Sequence, residues 1–177
     1  DAHNVFKLLE AGAIDVLPKP RGGLAADEPG VAQELIRKIK IISGVVALTR
    51  RQKLGPSSGQ LQAGPSSAPV SPRPRIIAVG ASTGGPQALQ TILAQLPADF
   101  PAAILCVQHI SEGFLAGLVH WLAAQCALPV KITQSGEQPL PGTIYFPQEG
   151  THLELDKTGR LVCSHKAPVD GHRPSVT

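Results

Sequence analysis

Apolar and polar positions in the second half of the chain predict strands that alternate with helices. The apolar runs RIIAVG (75–80) and AAILCVQH (102–109) lack the alternation of half-exposed strands, which favours a parallel sheet covered on both faces. Residues 86–96 and 114–126 predict the helices that follow them, and PVKITQ (129–134) predicts a third strand. This order predicts an α/β fold with a partial, doubly wound and mostly parallel sheet.

Three short β segments follow: GTIYFP (142–147), THLELD (151–156) and RLVCSHK (160–166). Lys157-Thr158-Gly159 separates the last two and is typical of a turn. We expect the three segments to form a meander or a hairpin extension at one edge of the sheet.

The first 48 residues carry a pattern of their own. Residues 4–12 predict a helix that ends at Gly12, residues 13–20 a short strand ended by prolines, and residues 28–48 a second helix. The apolar positions expected to face a core are Val5, Leu8 and Leu9 in the first helix and Val31, Leu35, Ile39 and Ile42 in the second. Such a segment predicts the closing edge of an α/β domain, because it is too small to fold alone.

Residues 49–75 differ in composition from both flanks. The stretch is rich in Pro, Ser, Gly and Gln and poor in large apolar side chains, so it cannot offset its ordering entropy by burial. We therefore expect a flexible linker at 49–75 between two domains, 1–48 and 76–177.

Composition narrows the class of protein. The chain of 177 residues is 42% hydrophobic and 16% charged, which indicates a globular protein. Its net charge of +3 is small, and no basic patch interleaved with aromatic residues is present in the sequence, which argues against nucleic-acid binding. Three cysteines at wide spacing fit a reducing cytoplasm, and no apolar run predicts a membrane span. Since the chain lacks methionine and begins at Asp1, we expect a fragment of a longer protein.

The turn after the first strand of the second domain carries the candidate chemistry. Gly80-Ala81-Ser82-Thr83-Gly84 satisfies G-x-S-x-G, a strand-to-helix turn that exposes a serine. Backbone amides of Thr83 and Gly84 would then face a developing negative charge at the helix N-terminus. The turn matches neither a Walker A loop nor G-x-G-x-x-G. A nucleophile, an anion-binding turn and a simple structural turn all stay open at this point.

A serine nucleophile needs a base within hydrogen-bond reach. His109 ends the next predicted strand, and adjacent parallel strands lie about 4.8 Å apart, so His109 is a candidate to take the Ser82 proton. The alternative is a strand-end histidine bonded to the main chain. His172 and Arg173 precede a proline and form a second candidate, a polar corner that could bind a substrate carbonyl or carboxylate, or an ordinary surface loop.

Other histidines and cysteines give weaker signals. Cys106 with His109, and Cys163 with His165, have spacings that raise zinc, but strand alternation separates the first pair and we expect no metal. The remaining assignments are surface for His120, core for Trp121, and solvent-facing for His3, His152 and His165.

Together these residues resemble the chemotaxis protein-glutamate methylesterases, the response regulators called CheB. IIAVGASTGGPQAL, CVQHISEGF, LPGTIYFPQEGTHLEL and HRPSV occur in the order and spacing of that family, and LEAGAIDVLPKP resembles the last strand of a receiver domain with its lysine and proline. The resemblance implies a flavodoxin-like receiver, a linker and a methylesterase domain.

The resemblance also implies roles. Ser82 would be the nucleophile, His109 the general base, Thr83 an oxyanion contact, and His172 a residue near the substrate. Lys19 would contact the receiver's phosphorylated aspartate, with Pro20 after a cis bond. The implied reaction is hydrolysis of glutamate γ-methyl esters on chemoreceptors, with deamidation of receptor glutamines as a related activity. It implies no cofactor, and a chemotaxis histidine kinase as phosphodonor.

The chain departs from the family in four respects. Thr177 stands where the family usually has Asp, Gly171 stands where it usually has Arg, and the triad and phosphoacceptor aspartates have no counterpart, for which neither Asp15 nor Asp170 can substitute. We therefore expect the chain as given to be poorly stable and nearly inactive, since losing an orienting aspartate costs about 10⁴ in turnover. The alternatives are a non-catalytic anion- or nucleotide-binding module and an adaptor that docks on receptors.

Overall fold

A computed structural model describes residues 2–17, 29–43 and 75–175. The helices are α1 (Ala2–Glu10), α2 (Pro29–Ser43), α3 (Gly85–Leu93) and α4 (Leu115–Ala123). The strands are β1 (Arg75–Ala81), β2 (Ala102–Gln108), β3 (Val130–Ile132), β4 (Ile144–Phe146), β5 (His152–Leu155) and β6 (Leu161–Ser164). Apart from Arg75, the expected linker lies outside the described residues.

Four strands form a parallel sheet in the order β1-β2-β4-β3. The β1–β2 register runs from Arg75 opposite Ala102 to Ala81 opposite Gln108. The predicted α/β class with a mostly parallel sheet is confirmed. Strand β1 is an edge in the described part of the chain, and Ile77 on it is 42% exposed rather than covered.

Strand β4 corrects the expected edge meander. It lies inside the parallel sheet between β2 and β3, with Ile144 opposite both Ile104 and Val130. Its three residues are at most 1% exposed, and an apolar run without alternation is typical of a central parallel strand. The expected hairpin is formed by β5 and β6 alone, with the turn at 157–159 closed between Asp156 and Arg160.

The side chains of β2 alternate between two cores. Ile104 and Cys106 pack on one face against apolar residues of α1, α3 and α4, while Ala103 and Leu105 pack on the other against Leu161 of the hairpin. The second-face helices that a doubly wound sheet would have are not among the described residues. Burial on both faces fixes β2 in the sheet.

Helix α1 packs onto this domain. Phe6 and Leu9 are each 3% exposed, whereas Leu8, expected in the core, is 55% exposed. The Phe6 ring stacks on Trp121 of α4 with centroids 5.6 Å apart. Glu10 adds a polar contact, since its Oε1 accepts a 2.7 Å hydrogen bond from Trp121 Nε1.

The strand expected in residues 13–20 is absent from its described part, 13–17. Here the Asp15 carboxylate accepts a 2.7 Å hydrogen bond from the Val16 amide, a local bond that competes with strand pairing. Helix α2 forms, and its expected stripe is only partly buried: Leu35 and Ile42 are half-buried, whereas Ile39 is 55% exposed and the buried residue beside it is Lys38, at 7%. The side chain of Val31 lies outside the described residues.

No helix in the described ranges is long and apolar enough to cross a membrane.

Candidate active site

A cavity of about 260 Å³ opens where β1 and β2 end. Ligands of open parallel sheets bind at the carboxyl ends of the strands. The candidate nucleophile and base both line this cavity, together with residues of the turn after β1, of the 171–173 loop and of the N-terminal segment. Its lining is Asp15, Arg37, Lys38, Ser82, Thr83, His109, Ile110, Ser111, Gly171, His172 and Arg173.

Ser82 occupies a tight turn between β1 and α3. The Gly85 amide donates a 2.8 Å hydrogen bond to the Ser82 carbonyl, which closes the turn. Gly84 has φ 74° and ψ −2°, values typical of the third residue of a type II turn and unfavourable for any residue with a Cβ. This conformation explains the glycine at position 84.

The start of α3 can supply an anion site. Gly85 uses its amide on Ser82, whereas the amides of Thr83 and Gly84 have no main-chain acceptor among the described residues. Helix N-termini attract negative charge through such amides and the helix dipole. The turn therefore has donors suited to an oxyanion.

His109 follows β2 as Ser82 follows β1. Because Ala81 pairs with Gln108, the next residues, Ser82 and His109, leave the sheet side by side, and the His109 amide donates a 3.0 Å hydrogen bond to the Ala81 carbonyl. The structure thus brings together the two residues that the sequence paired.

His172 lies against His109. The two imidazole rings are stacked, with centroids 4.3 Å apart and planes inclined by 12°. This contact limits rotation of the His109 ring and brings the 171–173 loop into the site. Arg173 also lines the cavity and donates to the Lys166 carbonyl at 3.3 Å.

His152 anchors the 167–175 loop, and the expectation that His152 faces solvent is wrong. It is 6% exposed. Its Nε2 lies 3.1 Å from the Ala167 carbonyl, which can only accept, so Nε2 carries the proton. Its Nδ1 then accepts from the Ser175 amide at 3.2 Å and lies 3.0 Å from Ser175 Oγ. His152 thereby ties both ends of the 167–175 loop.

The N-terminal segment reaches the same cavity. Lys38 of α2 forms an ion pair with Asp15 at 3.0 Å, with side chains only 9% and 16% exposed, and donates to the Val16 carbonyl at 3.5 Å. Sequence reasoning put Asp15 outside the site. Its position depends on how the N-terminal segment packs against the second domain, which no local sequence pattern predicts.

Other residues stay outside the site. His120 and His165 are exposed as expected, and Trp121 is half-buried rather than fully in the core. Asp170 is exposed. Lys19, Pro20 and the side chain of His3 lie outside the described residues.

Cys106 is a buried thiol. Burial, with a smaller contribution from nearby Cys126, raises the pKa of the Cys106 thiol from 9.0 to about 12. A thiol in that environment stays protonated, whereas metal ligation needs the thiolate. In the described ranges, no group of three or more His, Cys, Asp or Glu side chains could hold a metal ion.

A serine on a strand-to-helix turn at the carboxyl edge of a parallel sheet is typical of serine hydrolases built on such a sheet. The sequence profile of the family described as CheB methylesterase matches residues 77–177. The chain therefore belongs to the CheB methylesterase family.

Curated relatives carry one name. The chain is 39% identical over 175 residues to a protein-glutamate methylesterase/protein-glutamine glutaminase of Nitrosospira multiformis, covering 97% of this chain and 49% of that protein. It is 42% identical over 174 residues to protein-glutamate methylesterase/protein-glutamine glutaminase 3 of Anaeromyxobacter dehalogenans, with the same coverage of 97% and 49%. The chain thus spans about half the length of these relatives.

A solved structure agrees with the fold. The crystal structure of the Thermotoga maritima CheB methylesterase catalytic domain matches with a TM-score of 0.56 and 34% identity, covering 59% of this chain and 57% of that one.

The raised pKa of Cys106 predicts a pH dependence of stability. Between pH 9 and 12 the unfolded chain loses the Cys106 proton that the folded protein keeps, so the free energy of unfolding falls as pH rises. From about pH 8 to about pH 10.5, urea unfolding of the parent protein should lose ~2 kcal/mol more than that of Cys106→Ala. Leu105→Ala, which removes a neighbouring buried side chain without a titrating group, should keep the parent's pH dependence. Parallel pH curves for Cys106→Ala and the parent would show that the thiol titrates normally.

Proposed function

We propose that the protein hydrolyses glutamate γ-methyl esters of methyl-accepting chemotaxis receptors to glutamate and methanol, and that it deamidates receptor glutamines by the same route. The observation that carries the proposal is the placement of Ser82 and His109 side by side at adjacent strand tips, in one cavity. The names of the relatives supply the substrate class.

The proposed chemistry is acyl transfer through serine. Ser82 Oγ attacks the ester carbonyl carbon while His109 accepts the hydroxyl proton. The carbonyl oxygen becomes an oxyanion at the Thr83 and Gly84 amides. Collapse expels methoxide, which His109 protonates to methanol. Water then attacks the acyl-enzyme with His109 again as base, the bond from the acyl carbon to Ser82 Oγ breaks, and His109 returns the proton to Ser82 as the glutamate carboxylate leaves. For a glutamine the leaving group is ammonia.

The charge around the cavity suits this reaction. Arg173 lines it from the 167–175 loop, while Asp15, the one carboxylate among its described lining residues, is paired with Lys38 of the N-terminal segment. Cationic groups favour both the oxyanion and the carboxylate product. We assign the third triad position to no residue between 75 and 175, so the proposal rests on the Ser82–His109 pair.

We propose that the N-terminal segment regulates this site as part of a receiver domain, with a chemotaxis histidine kinase as phosphodonor. Support comes from Asp15, Arg37 and Lys38, which line the cavity beside Ser82 and His109. Phosphorylation would shift the population toward a form in which this segment leaves the cavity. The proposed location is the cytoplasm, where the three cysteines stay reduced.

Loss of the serine hydroxyl tests the nucleophile. With no triad aspartate assigned between 75 and 175, the parent rate is already low, so Ser82→Ala should lower the remaining methanol release from a chemoreceptor fragment with tritiated methyl esters by about 10²-fold. Ser164→Ala, which removes a hydroxyl bonded to Glu154 on the β5–β6 hairpin at a position that does not line the cavity, should stay within about twofold. Retained hydrolysis by folded Ser82→Ala would refute a serine mechanism, and retained anion binding alone would favour the non-catalytic module.

Loosening α1 tests the regulatory proposal without touching the cavity. Glu10 Oε1 accepts hydrogen bonds from Trp121 Nε1 at 2.7 Å and Gln125 Nε2 at 3.1 Å. Glu10→Ala should weaken docking by about 1 kcal/mol and raise the unphosphorylated methanol-release rate about fivefold. Lys7→Ala, at an exposed position of the same helix, is the control and should leave the rate unchanged. A basal rate that Glu10→Ala leaves unchanged would contradict coverage of the site by this segment.

A further inference from the structure

Gln108 is a buried amide at the end of β2, directly before His109. It is 4% exposed, although it carries a primary amide at the end of an apolar strand. A buried polar side chain is costly unless its donors and acceptors find partners, and in the described part of the chain Gln108 Oε1 has none while both N–H donors do. The hydrogen-bond partners of the Gln108 amide therefore indicate its role.

The Gln108 amide joins the nucleophile residue to the base residue. Its Nε2 donates to the Ser82 carbonyl at 2.8 Å and to the His109 carbonyl at 2.8 Å. A primary amide has two N–H donors. Both are used, one on each of the two residues whose side chains do the proposed chemistry.

This bridge lies where the sheet no longer holds the strands. The paired register ends with Ala81 opposite Gln108, and the next main-chain bond runs from the His109 amide to the Ala81 carbonyl. In the part of the chain that the structure describes, the Gln108 side chain is what bonds the two main chains one residue further on. It therefore extends the β1–β2 pairing through the catalytic positions.

The start of α3 is shaped around the same amide. A Cβ on Gly85 would lie 1.9 Å from Gln108 Oε1 and 2.8 Å from its Cδ. The Gly85 amide itself donates to the Ser82 carbonyl, which thus accepts from both the helix start and Gln108. Gly85 leaves room for the amide, and the two donors fix the plane of the Ser82 peptide.

We propose that Gln108 is a positioning residue that sets the separation and orientation of Ser82 and His109. The inference rests on the proposed function, since it assumes that these two residues react. Gln108 acts through their main chains and needs no contact with substrate. A displacement of about 1 Å between reacting groups costs about 10²-fold in rate.

The test measures the rate constant at which Ser82 reacts in the parent protein and in each variant. A fluorophosphonate ester in excess forms a P–O bond to Ser82 Oγ and expels fluoride, and intact-protein and peptide mass spectrometry follow the adduct. Gln108→Leu keeps a side chain of similar size without donors, and we expect the pseudo-first-order rate constant to fall by 10- to 100-fold, with modification still going to completion. Gln108→Asn keeps the donors on a shorter side chain, and we expect an intermediate rate constant.

Gln90→Leu is the matched control. Gln90 lies on α3 and donates a 2.8 Å hydrogen bond to Gln125 Oε1, away from the cavity residues. The same substitution there should leave the rate constant of Ser82 modification unchanged. For the receptor ester substrate, Gln108→Leu should lower kcat with KM unchanged, because the bridge contributes to the reacting geometry and not to binding.

The outcomes separate this inference from the function beneath it. Irreversible misfolding lowers the amplitude at the parent's rate constant, whereas unfolding in fast exchange lowers the observed rate constant by the folded fraction. Each rate constant is therefore divided by the folded fraction read from a urea unfolding curve, and a variant that only misfolds then shows the parent's rate constant. That result, or a parent-like rate with full amplitude, would overturn the positioning role while leaving the esterase proposal intact. A parent protein whose Ser82 is not modified, although other serines are, would instead remove the proposed function.

Discussion

The register between β1 and β2 determines the geometry on which the site depends. Because Ala81 pairs with Gln108, Ser82 and His109 leave the sheet at the same level and reach one cavity. Parallel strands lie about 4.8 Å apart, and a ladder of main-chain hydrogen bonds maintains that spacing. A slip of one residue would turn His109 to the opposite face of the sheet. The proposed chemistry therefore depends on strand pairing before it depends on any side chain.

Packing protects this register. Cys106 on one face of β2 and Leu105 on the other are buried in separate cores, so a slip would place each apolar side chain in a core packed around a different one. Strand β4 pairs with β2 along its other edge. His172 packs against His109 at these strand ends, and His152 bonds to both ends of the loop that carries His172.

The strand ends and the adjacency of Ser82 and His109 could be predicted from the sequence, because unbroken apolar runs and a glycine-rich turn are local signals. The insertion of β4 between β2 and β3 could not be predicted, since strand order depends on contacts between residues distant in sequence. His152 was wrongly expected in solvent because its burial requires the 167–175 loop to fold back over it. Gln108 was overlooked, although a glutamine that closes an apolar strand is a visible signal of a buried amide.

The central claim is that Ser82 carries the acyl group. With p-nitrophenyl acetate as substrate, acylation is fast relative to deacylation, so the acetyl-enzyme intermediate accumulates. The account predicts a burst of about one equivalent of p-nitrophenol per chain, with the acetyl group located on Ser82 by peptide mass spectrometry and absent from Ser82→Ala. Hydrolysis of the ester without an acetyl adduct on Ser82, or with the burst retained in Ser82→Ala, would contradict it.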